Sequence, residues 1–220
     1  PLMKLVFGGV TRVLPGSRLD EARFRELGVP PDRLIFTGNL KLDVEIPRLS
    51  AEEAEKLRRE LGLEQRWLVL GSSTWPGEEA ALLAAWRHLR ARGIDAGLLL
   101  VPRHAERRDE IERLLVEAGV AGHFRSRGPA PAKVEVSVAD TTGELRRLTQ
   151  LADVVVVGKS FPPHTEGQTP VEAAALEKPI LFGPGMANFR VIAEDLVARG
   201  AARRVTVAAG LSDELFALLS

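Results

Sequence analysis

Four short polar segments of this sequence suit the binding of an anion, because each directly follows an apolar run and combines small, hydroxyl-bearing or basic residues. These segments are residues 71–74, 102–104, 140–144 and 160–169. If the apolar runs are strands of one parallel sheet, their carboxyl ends meet at one rim, where helix N-termini present N–H groups without partners. Such groups bind phosphates and carboxylates. The sequence therefore predicts an anion site at this rim.

Glu172 has two interpretations. Thr169 and Glu172 are three residues apart at the start of a predicted helix, which is the spacing of a capping box that needs no ligand. Alternatively, the carboxylate accepts hydrogen bonds from ribose hydroxyls, as acidic residues do in nucleotide-binding folds. Spacing alone favours the capping role.

Arg103 directly follows a predicted strand, where its guanidinium can bind a phosphate or instead pair with Glu106 or Asp109 on the next helix. His104 is interpreted as a turn residue and His164 as a solvated loop residue. The 4 histidines lack the spacing of metal ligands, so no metal site is predicted. The sequence also lacks the GxSxG pattern of a serine nucleophile.

The composition excludes several classes of function. The formal net charge is +0 and no segment is strongly basic, so no nucleic-acid partner is predicted. Tyr is absent and aromatic residues are only 5%, which argues against a stacking surface for single strands. The absence of Cys excludes disulfides and thiolate metal sites and favours a reducing compartment. No membrane span or signal peptide is visible.

From residue 66 onward, apolar runs alternate with helical patterns. The predicted strands are residues 67–70, 97–101, 134–138, 153–157, 179–182 and a short one near Val205. Residues 71–74 are predicted to be the turn after the first strand. This alternation indicates an α/β fold, a Rossmann-like doubly wound parallel sheet between two layers of helices. No GxGxxG follows the first strand, so a dinucleotide site is not supported.

The first part of the chain is predicted to be a separate domain, residues 1–44, with residues 45–220 forming the second. The pattern indicates the end of a helix at residues 2–9, short strands at 11–14 and 34–38, and a helix capped by Ser17 between them. Ser50 and Glu53 form a capping-box pattern for a helix that ends near Gly62. Because the chain begins at Pro1 in the middle of a pattern, we expect it to be a fragment.

Taken in order, a set of motifs resembles the 3-deoxy-D-manno-octulosonic acid (Kdo) transferase family. They are Gly38-Asn-Leu-Lys-Leu-Asp43, Gly71-Ser-Ser-Thr74 with Gly77-Glu78-Glu79, Val101-Pro-Arg-His104, Asp140-Thr-Thr-Gly-Glu-Leu145, Thr169-Pro-Val-Glu172, and Lys178-Pro-Ile-Leu-Phe-Gly-Pro184 with Asn188-Phe189. Together they cover nearly the whole chain and are specific, whereas any one of them is weak.

The resemblance implies the C-terminal, donor-binding half of a GT-B glycosyltransferase. Such an enzyme transfers Kdo from CMP-Kdo to a lipid A precursor in lipopolysaccharide synthesis, as a peripheral protein at the cytoplasmic face of the bacterial inner membrane. As the spacing and charge already indicate, no cofactor, metal or nucleic-acid partner is expected. By resemblance, the donor-binding residues are Ser73, Thr74, Pro102, Arg103, His104, Thr142, Gly143, Glu144, Gly167, Gln168, Thr169, Glu172 and Asn188. For Glu172, the resemblance favours the ribose role.

The resemblance places no catalytic residue in this chain. It implies direct displacement at the anomeric carbon: an acceptor hydroxyl attacks, a glutamate upstream of Pro1 takes its proton, and CMP leaves, stabilised by helix N-termini and Arg103. Residues 1–44 match only the end of the acceptor domain, and the family's closing helices are expected beyond Ser220. A fragment of this kind binds the donor but does not catalyse transfer.

This chain departs from the family at one motif. The family usually reads Gly-Gly-(His/Gln)-Asn-Pro-Leu-Glu, where this chain has Glu166 in place of the first glycine and Thr169 in place of the asparagine. A carboxylate facing a phosphate is unfavourable unless it turns away or pairs with Arg or Lys. Two alternatives therefore stay open: another GT-B nucleotide-sugar enzyme, such as a different transferase or an epimerase, and a non-catalytic nucleotide-binding module.

Overall fold

The computed structural model describes residues 6–7, 9–38 and 45–220. The chain divides into two compact units, Pro1–Glu45 and Ile46–Ser220, one residue beyond the predicted boundary. The predicted helix at residues 2–9 and the motif that begins at Gly38 lie largely outside the described residues.

The first unit contains helix α1 (Arg18–Glu26). Its cap is as predicted, because the Ser17 hydroxyl accepts a hydrogen bond from the Asp20 N–H at 3.0 Å. The predicted strands at 11–14 and 34–38 are reduced to a single parallel bridge between Val13 and Leu34. A two-strand pairing this short has too few ladder hydrogen bonds to extend.

The second unit is built on a parallel sheet of seven strands, with the order β3-β4-β2-β1-β5-β6-β7. The strands are β1 (Trp67–Thr74), β2 (Ala96–Pro102), β3 (Gly122–Phe124), β4 (Val136–Val138), β5 (Val154–Val157), β6 (Ile180–Phe182) and β7 (Ala202–Arg204). Strands β2, β3 and β4 lie on one side of β1, and strands β5, β6 and β7 lie on the other. This reversal confirms the doubly wound, Rossmann-like prediction. Strand β3 was not predicted.

Helices cover both faces of the sheet. They are α2 (Ala51–Leu61), α3 (Glu78–Ala91), α4 (Arg108–Glu117), α5 (Leu145–Leu151), α6 (Val171–Ala175), α7 (Arg190–Ala198) and α8 (Leu211–Leu219). One buried cluster joins alternate strand residues to α3, α4 and α8. A second cluster joins the remaining strand residues to α2, α5, α6 and α7. Since strand side chains alternate between faces, the unit is a three-layer α/β/α sandwich.

The prediction of a turn at residues 71–74 is wrong, because β1 continues through Thr74. Gly71 gives α3 room against this strand, since a Cβ there would lie 2.6 Å from the Leu82 side chain. The register with β2 shifts between Ser72 and Thr74. Ser73 adopts a φ of 53° at this irregularity. The polar residues of the motif therefore still lie at the carboxyl end of β1.

Candidate functional site

The residues predicted to bind an anion lie at or just beyond the carboxyl ends of β4, β2, β1, β5 and β6. Neighbouring strands are about 4.8 Å apart, so these five strand ends form one continuous rim. The order in which strands are added to the sheet reverses between β1 and β5, and open parallel sheets bind ligands at such a switch point. The topology therefore brings the predicted segments together on one rim.

The Glu78 carboxylate occupies N–H groups that the sequence assigned to a ligand. It accepts hydrogen bonds from the backbone of Trp75 at 2.9 Å, Lys159 at 2.8 Å, Ser160 at 2.9 Å and Phe161 at 3.2 Å. The N–H groups of Lys159, Ser160 and Phe161 are therefore not free to bind an external anion. Glu78 was part of a recognised motif, but its spacing gave no signal for this contact.

Thr74 is buried and shapes the wall of the rim. Its hydroxyl donates to Glu79 at 2.7 Å, and Arg107 holds the same carboxylate through contacts of 2.6 and 3.1 Å. The carbonyl of Thr74 accepts the N–H of Arg103 at 3.0 Å. Buried ion pairs of this kind need such additional hydrogen bonds to offset the cost of removing charge from water. The Thr74 side chain is thus committed to the protein.

Arg103 projects from the rim with an exposed side chain and has no ion pair within the described ranges. The alternative in which it pairs with Glu106 or Asp109 is wrong, because Glu106 lies 3.4 Å from Nδ1 of His104 instead. Arg103 is therefore a cation that is available to an incoming phosphate.

The segment after β4 turns its carboxylates inward. Asp140 is buried, pairs with Arg108, and accepts the N–H and hydroxyl of Ser126 at 2.9 and 2.6 Å. Burial raises the pKa of Asp140, but the hydrogen bonds from Ser126 and Arg108 outweigh it, so the pKa lies below its usual value.

Glu144 is held in the same way, by the Thr141 hydroxyl and by Arg125 at 3.3 Å. Thr142 and Gly143 form the exposed tip of this segment, and Gly143 has a φ of 83°. Of the predicted residues 142–144, these two are the ones that face solvent.

Backbone hydrogen bonds fix the loop after β5. The N–H of Gly167 donates to the Lys159 carbonyl at 2.8 Å, and the N–H of Gln168 donates to the Gly158 carbonyl at 3.0 Å. The N–H of Asn188, in the loop after β6, donates to the Glu166 carbonyl at 2.9 Å. Three of the predicted site residues, Gly167, Gln168 and Asn188, are thus parts of one hydrogen-bonded layer.

Glu166 forms an ion pair with Lys159, with 3.4 Å between Oε1 and Nζ. Its other oxygen accepts the N–H of Thr165 at 3.0 Å. The Thr165 hydrogen bond and the charge of Lys159 hold the pKa of Glu166 below its usual value. The carboxylate that departs from the family pattern is therefore paired with a lysine, which reduces its repulsion of a bound anion.

The predicted capping box at Thr169 and Glu172 is wrong. Pro170 occupies the N-cap position of α6, and the Thr169 hydroxyl instead accepts the N–H of Val171 at 3.2 Å. Glu172 Oε1 lies 3.8 Å from Nε of Arg146. Its Oε2 is buried and has no hydrogen-bond partner in the part of the chain that the structure describes. Since buried polar atoms are nearly always paired, this oxygen is an acceptor whose hydrogen-bonding capacity is unused among the described residues.

A cluster at the centre of the rim, which we call the Trp75 cluster, joins the predicted site residue His104 and His164 to two residues that the sequence did not indicate, Trp75 and Lys159. The Trp75 ring lies edge-on to His104 at 5.2 Å and to His164 at 5.4 Å between centroids. Lys159 Nζ lies 4.3 Å from the Trp75 ring centroid. A signal was present, since Trp75 and Lys159 each directly adjoin a predicted polar segment.

Residues 6–7, 9–38 and 45–220 contain no group of three or more His, Cys, Asp or Glu side chains that could hold a metal ion. Within the same ranges, no helix combines the length and the hydropathy that a bilayer-spanning segment needs.

Comparison with known proteins agrees with the motifs. No protein-family model matches the chain. The 3-deoxy-D-manno-octulosonic acid transferase of Bordetella pertussis is 34% identical over 99% of this chain and 51% of its own length. The enzyme of the same name from Haemophilus influenzae is 29% identical over 89% of this chain and 45% of its own length. The chain thus spans about half the length of the curated relatives that it matches.

Solved structures show the same fold. The C-terminal CMP-Kdo binding domain of WaaA from Acinetobacter baumannii matches with a TM-score of 0.69 and 29% identity, over 76% of this chain and 88% of that one. The UDP-GlcNAc 2-epimerase of Neisseria meningitidis matches with a TM-score of 0.57 at 13% identity, over 94% of this chain and 52% of that chain, which shows a shared fold alone. The resemblance drawn from the motifs is therefore confirmed, and the chain is a relative of the Kdo transferases across nearly its whole length.

Proposed function

We propose that this chain is the donor-binding part of a glycosyltransferase that transfers Kdo from CMP-Kdo to a lipid A precursor. The observation that carries the proposal is that two charged residues at the rim have interactions left unmade within the protein. Arg103 has no ion pair among the described residues, and Glu172 keeps a buried oxygen without a hydrogen-bond partner. A nucleotide supplies what each lacks, a phosphate for the guanidinium and ribose hydroxyls for the carboxylate.

The remaining site residues divide into those that would border the donor and those whose side chains are bonded within the protein. In our proposal, the exposed tip Thr142–Gly143 and the turn at Gly167 border the phosphate, while Asn188 borders the sugar. Thr74 and Glu144 position the rim through Glu79 and Arg125 and do not reach the donor. The chain itself contributes binding and orientation, and the proton-accepting glutamate belongs to the acceptor domain that the resemblance implies.

The acceptor and the cellular location follow from the same proposal. A lipid A precursor is amphipathic, so the whole enzyme would act as a peripheral protein at the cytoplasmic face of the inner membrane. No metal or cofactor is needed in this scheme, because displacement at the anomeric carbon uses a general base and stabilisation of the leaving nucleotide.

Nucleotide titration with thermal unfolding tests the proposal. We expect CMP to stabilise the chain, by about 2.7 kcal/mol at a hundred times its dissociation constant, with smaller shifts from UDP and ADP at the same concentration. A larger shift from UDP would favour another nucleotide-sugar enzyme with this fold. If millimolar CMP gives no shift, the chain is not a CMP-sugar-binding domain, and the non-catalytic alternative gains support.

Arg103→Ala is expected to weaken CMP binding by about 10- to 100-fold, because a hydrogen bond to a charged group contributes about 1.5–3 kcal/mol. Isothermal titration calorimetry measures the change. Arg113→Ala is the matched control, since Arg113 is another exposed arginine on the helix that follows the same strand, and we expect its CMP affinity to match wild type. Equal affinities in both variants would remove Arg103 from the site.

A further inference from the structure

We propose that Lys159, held against the indole ring of Trp75, binds the carboxylate of the acidic sugar in the donor. This inference rests on the proposed function and extends it to residues with no assigned role. The sugar named in the relatives is an acid, so the donor carries a carboxylate in addition to its phosphate. Both groups are attached to the anomeric carbon, and a site that holds them needs two neighbouring cations.

The Trp75 cluster supplies the second cation. Lys159 Nζ lies 4.3 Å from the Trp75 ring centroid, a cation–π contact that fixes the ammonium group without neutralising it. The cluster joins the ends of β1, β2 and β5, and therefore lies at the switch point, beside the exposed Arg103. Trp75 Nε1 is buried without a hydrogen-bond partner in the described residues, so the indole N–H is a further donor close to the lysine.

The partner of Lys159 can be exchanged. The Glu166 side chain is 44% exposed, whereas that of Lys159 is 20% exposed. Glu166 can therefore turn into solvent at little cost, while Lys159 remains on the indole ring. A donor carboxylate would take the place of the Glu166 carboxylate beside Lys159. The ammonium group is thus paired with a carboxylate both before and after binding.

Backbone strain supports a role for the Lys159 side chain. Lys159 has a φ of 55°, in the left-handed region, and Ser73 beside Trp75 has a φ of 53°. Within the described chain the only other non-glycine residue of this kind is Glu177. Such conformations disfavour any residue with a Cβ, and they cluster at functional sites. A glycine would remove the strain but also the ammonium group.

The test compares CMP with freshly prepared CMP-Kdo, by calorimetry, on the wild-type chain and its variants. We expect wild type to bind CMP-Kdo more tightly than CMP. Lys159→Gln and Lys159→Gly should each weaken CMP-Kdo binding by about tenfold and change CMP binding less than about twofold. Trp75→Phe should weaken CMP-Kdo by a few fold, and Trp67→Phe, at the other end of β1, should not. Glu166→Gln should strengthen CMP-Kdo binding.

The outcomes separate the two proposals. If wild type binds CMP and the lysine variants lose both ligands equally, or lose neither, Lys159 does not read the sugar and this inference is overturned while the proposed function stands. If wild type binds neither ligand, both are overturned. Thermal unfolding checks a purely structural role for the lysine, because that role predicts a lower Tm for Lys159→Gly, whereas relief of backbone strain predicts an equal or higher Tm.

Discussion

Glu78→Ala is expected to destabilise the chain by about 4 kcal/mol, the largest effect that we predict. The Glu78 carboxylate is buried and accepts four backbone N–H groups, from Trp75, Lys159, Ser160 and Phe161. Removal of the acceptor leaves these donors without partners in a site that water reaches poorly, and each unpaired donor costs about 1–3 kcal/mol. Partial relaxation and entering water keep the total below the sum.

Urea unfolding, followed by circular dichroism, measures this loss as a lower midpoint at unchanged slope. Glu52→Ala is the control, because Glu52 lies exposed in the first turn of α2 and its removal should cost less than about 0.5 kcal/mol. A loss of similar size in the two variants would show that the four hydrogen bonds do not hold the rim together.

Asp140→Ala is expected to cost about 3 kcal/mol at neutral pH. Asp140 is fully buried and joins Ser126 to Arg108, so its removal leaves a guanidinium and two donors without their acceptor. Asp213→Ala, at an exposed position in the first turn of α8, is the control and should change stability by less than about 0.5 kcal/mol.

The pH dependence of Asp140 gives an independent check. In the folded state, the pKa of Asp140 lies below its ordinary value of 3.8. The unfolded chain therefore binds a proton at this carboxylate more readily than the folded chain does. The stabilisation is therefore complete above the unfolded pKa and is lost as the pH falls below about 4. We expect wild type to lose more stability than Asp140→Ala as the pH falls from about 5 to about 3, a range that spans the pKa of an aspartate in the unfolded chain. Parallel curves would contradict the assignment.

The sheet could be predicted where its strands are long or wholly apolar. Four consecutive valines at Val154–Val157 are buried on both faces, and only a central parallel strand needs such a run. Strand β3 (Gly122–Phe124) was missed because it is three residues long, begins with a glycine and contains a histidine. Its place in the sheet is decided by pairing with β4, a tertiary contact that local propensity does not report.

The location of the site was predictable, and its internal partners were not. Strand ends fix where the polar loops lie, so residues 102–104 and 142–144 reached the same rim. The N–H groups after β5 donate to the Glu78 carboxylate, and Glu78 lies 82 positions before Ser160 in the chain. The capping prediction failed at Thr169 because Pro170 occupies the N-cap position in its place. Both outcomes depend on three-dimensional packing that spacing does not encode.

The loops after β5 and β6 are joined by hydrogen bonds from Gly185 to Ser160, Ala187 to Thr165 and Asn188 to Glu166. Gly183 contributes a fourth, to the Ser160 hydroxyl at 2.9 Å. Loops joined in this way respond to a ligand as a single mechanical element. The free energies of substitutions at Gly167 and Asn188 should therefore be coupled in a double-mutant cycle. The donor would then be recognised by one cooperative surface and not by two independent contacts.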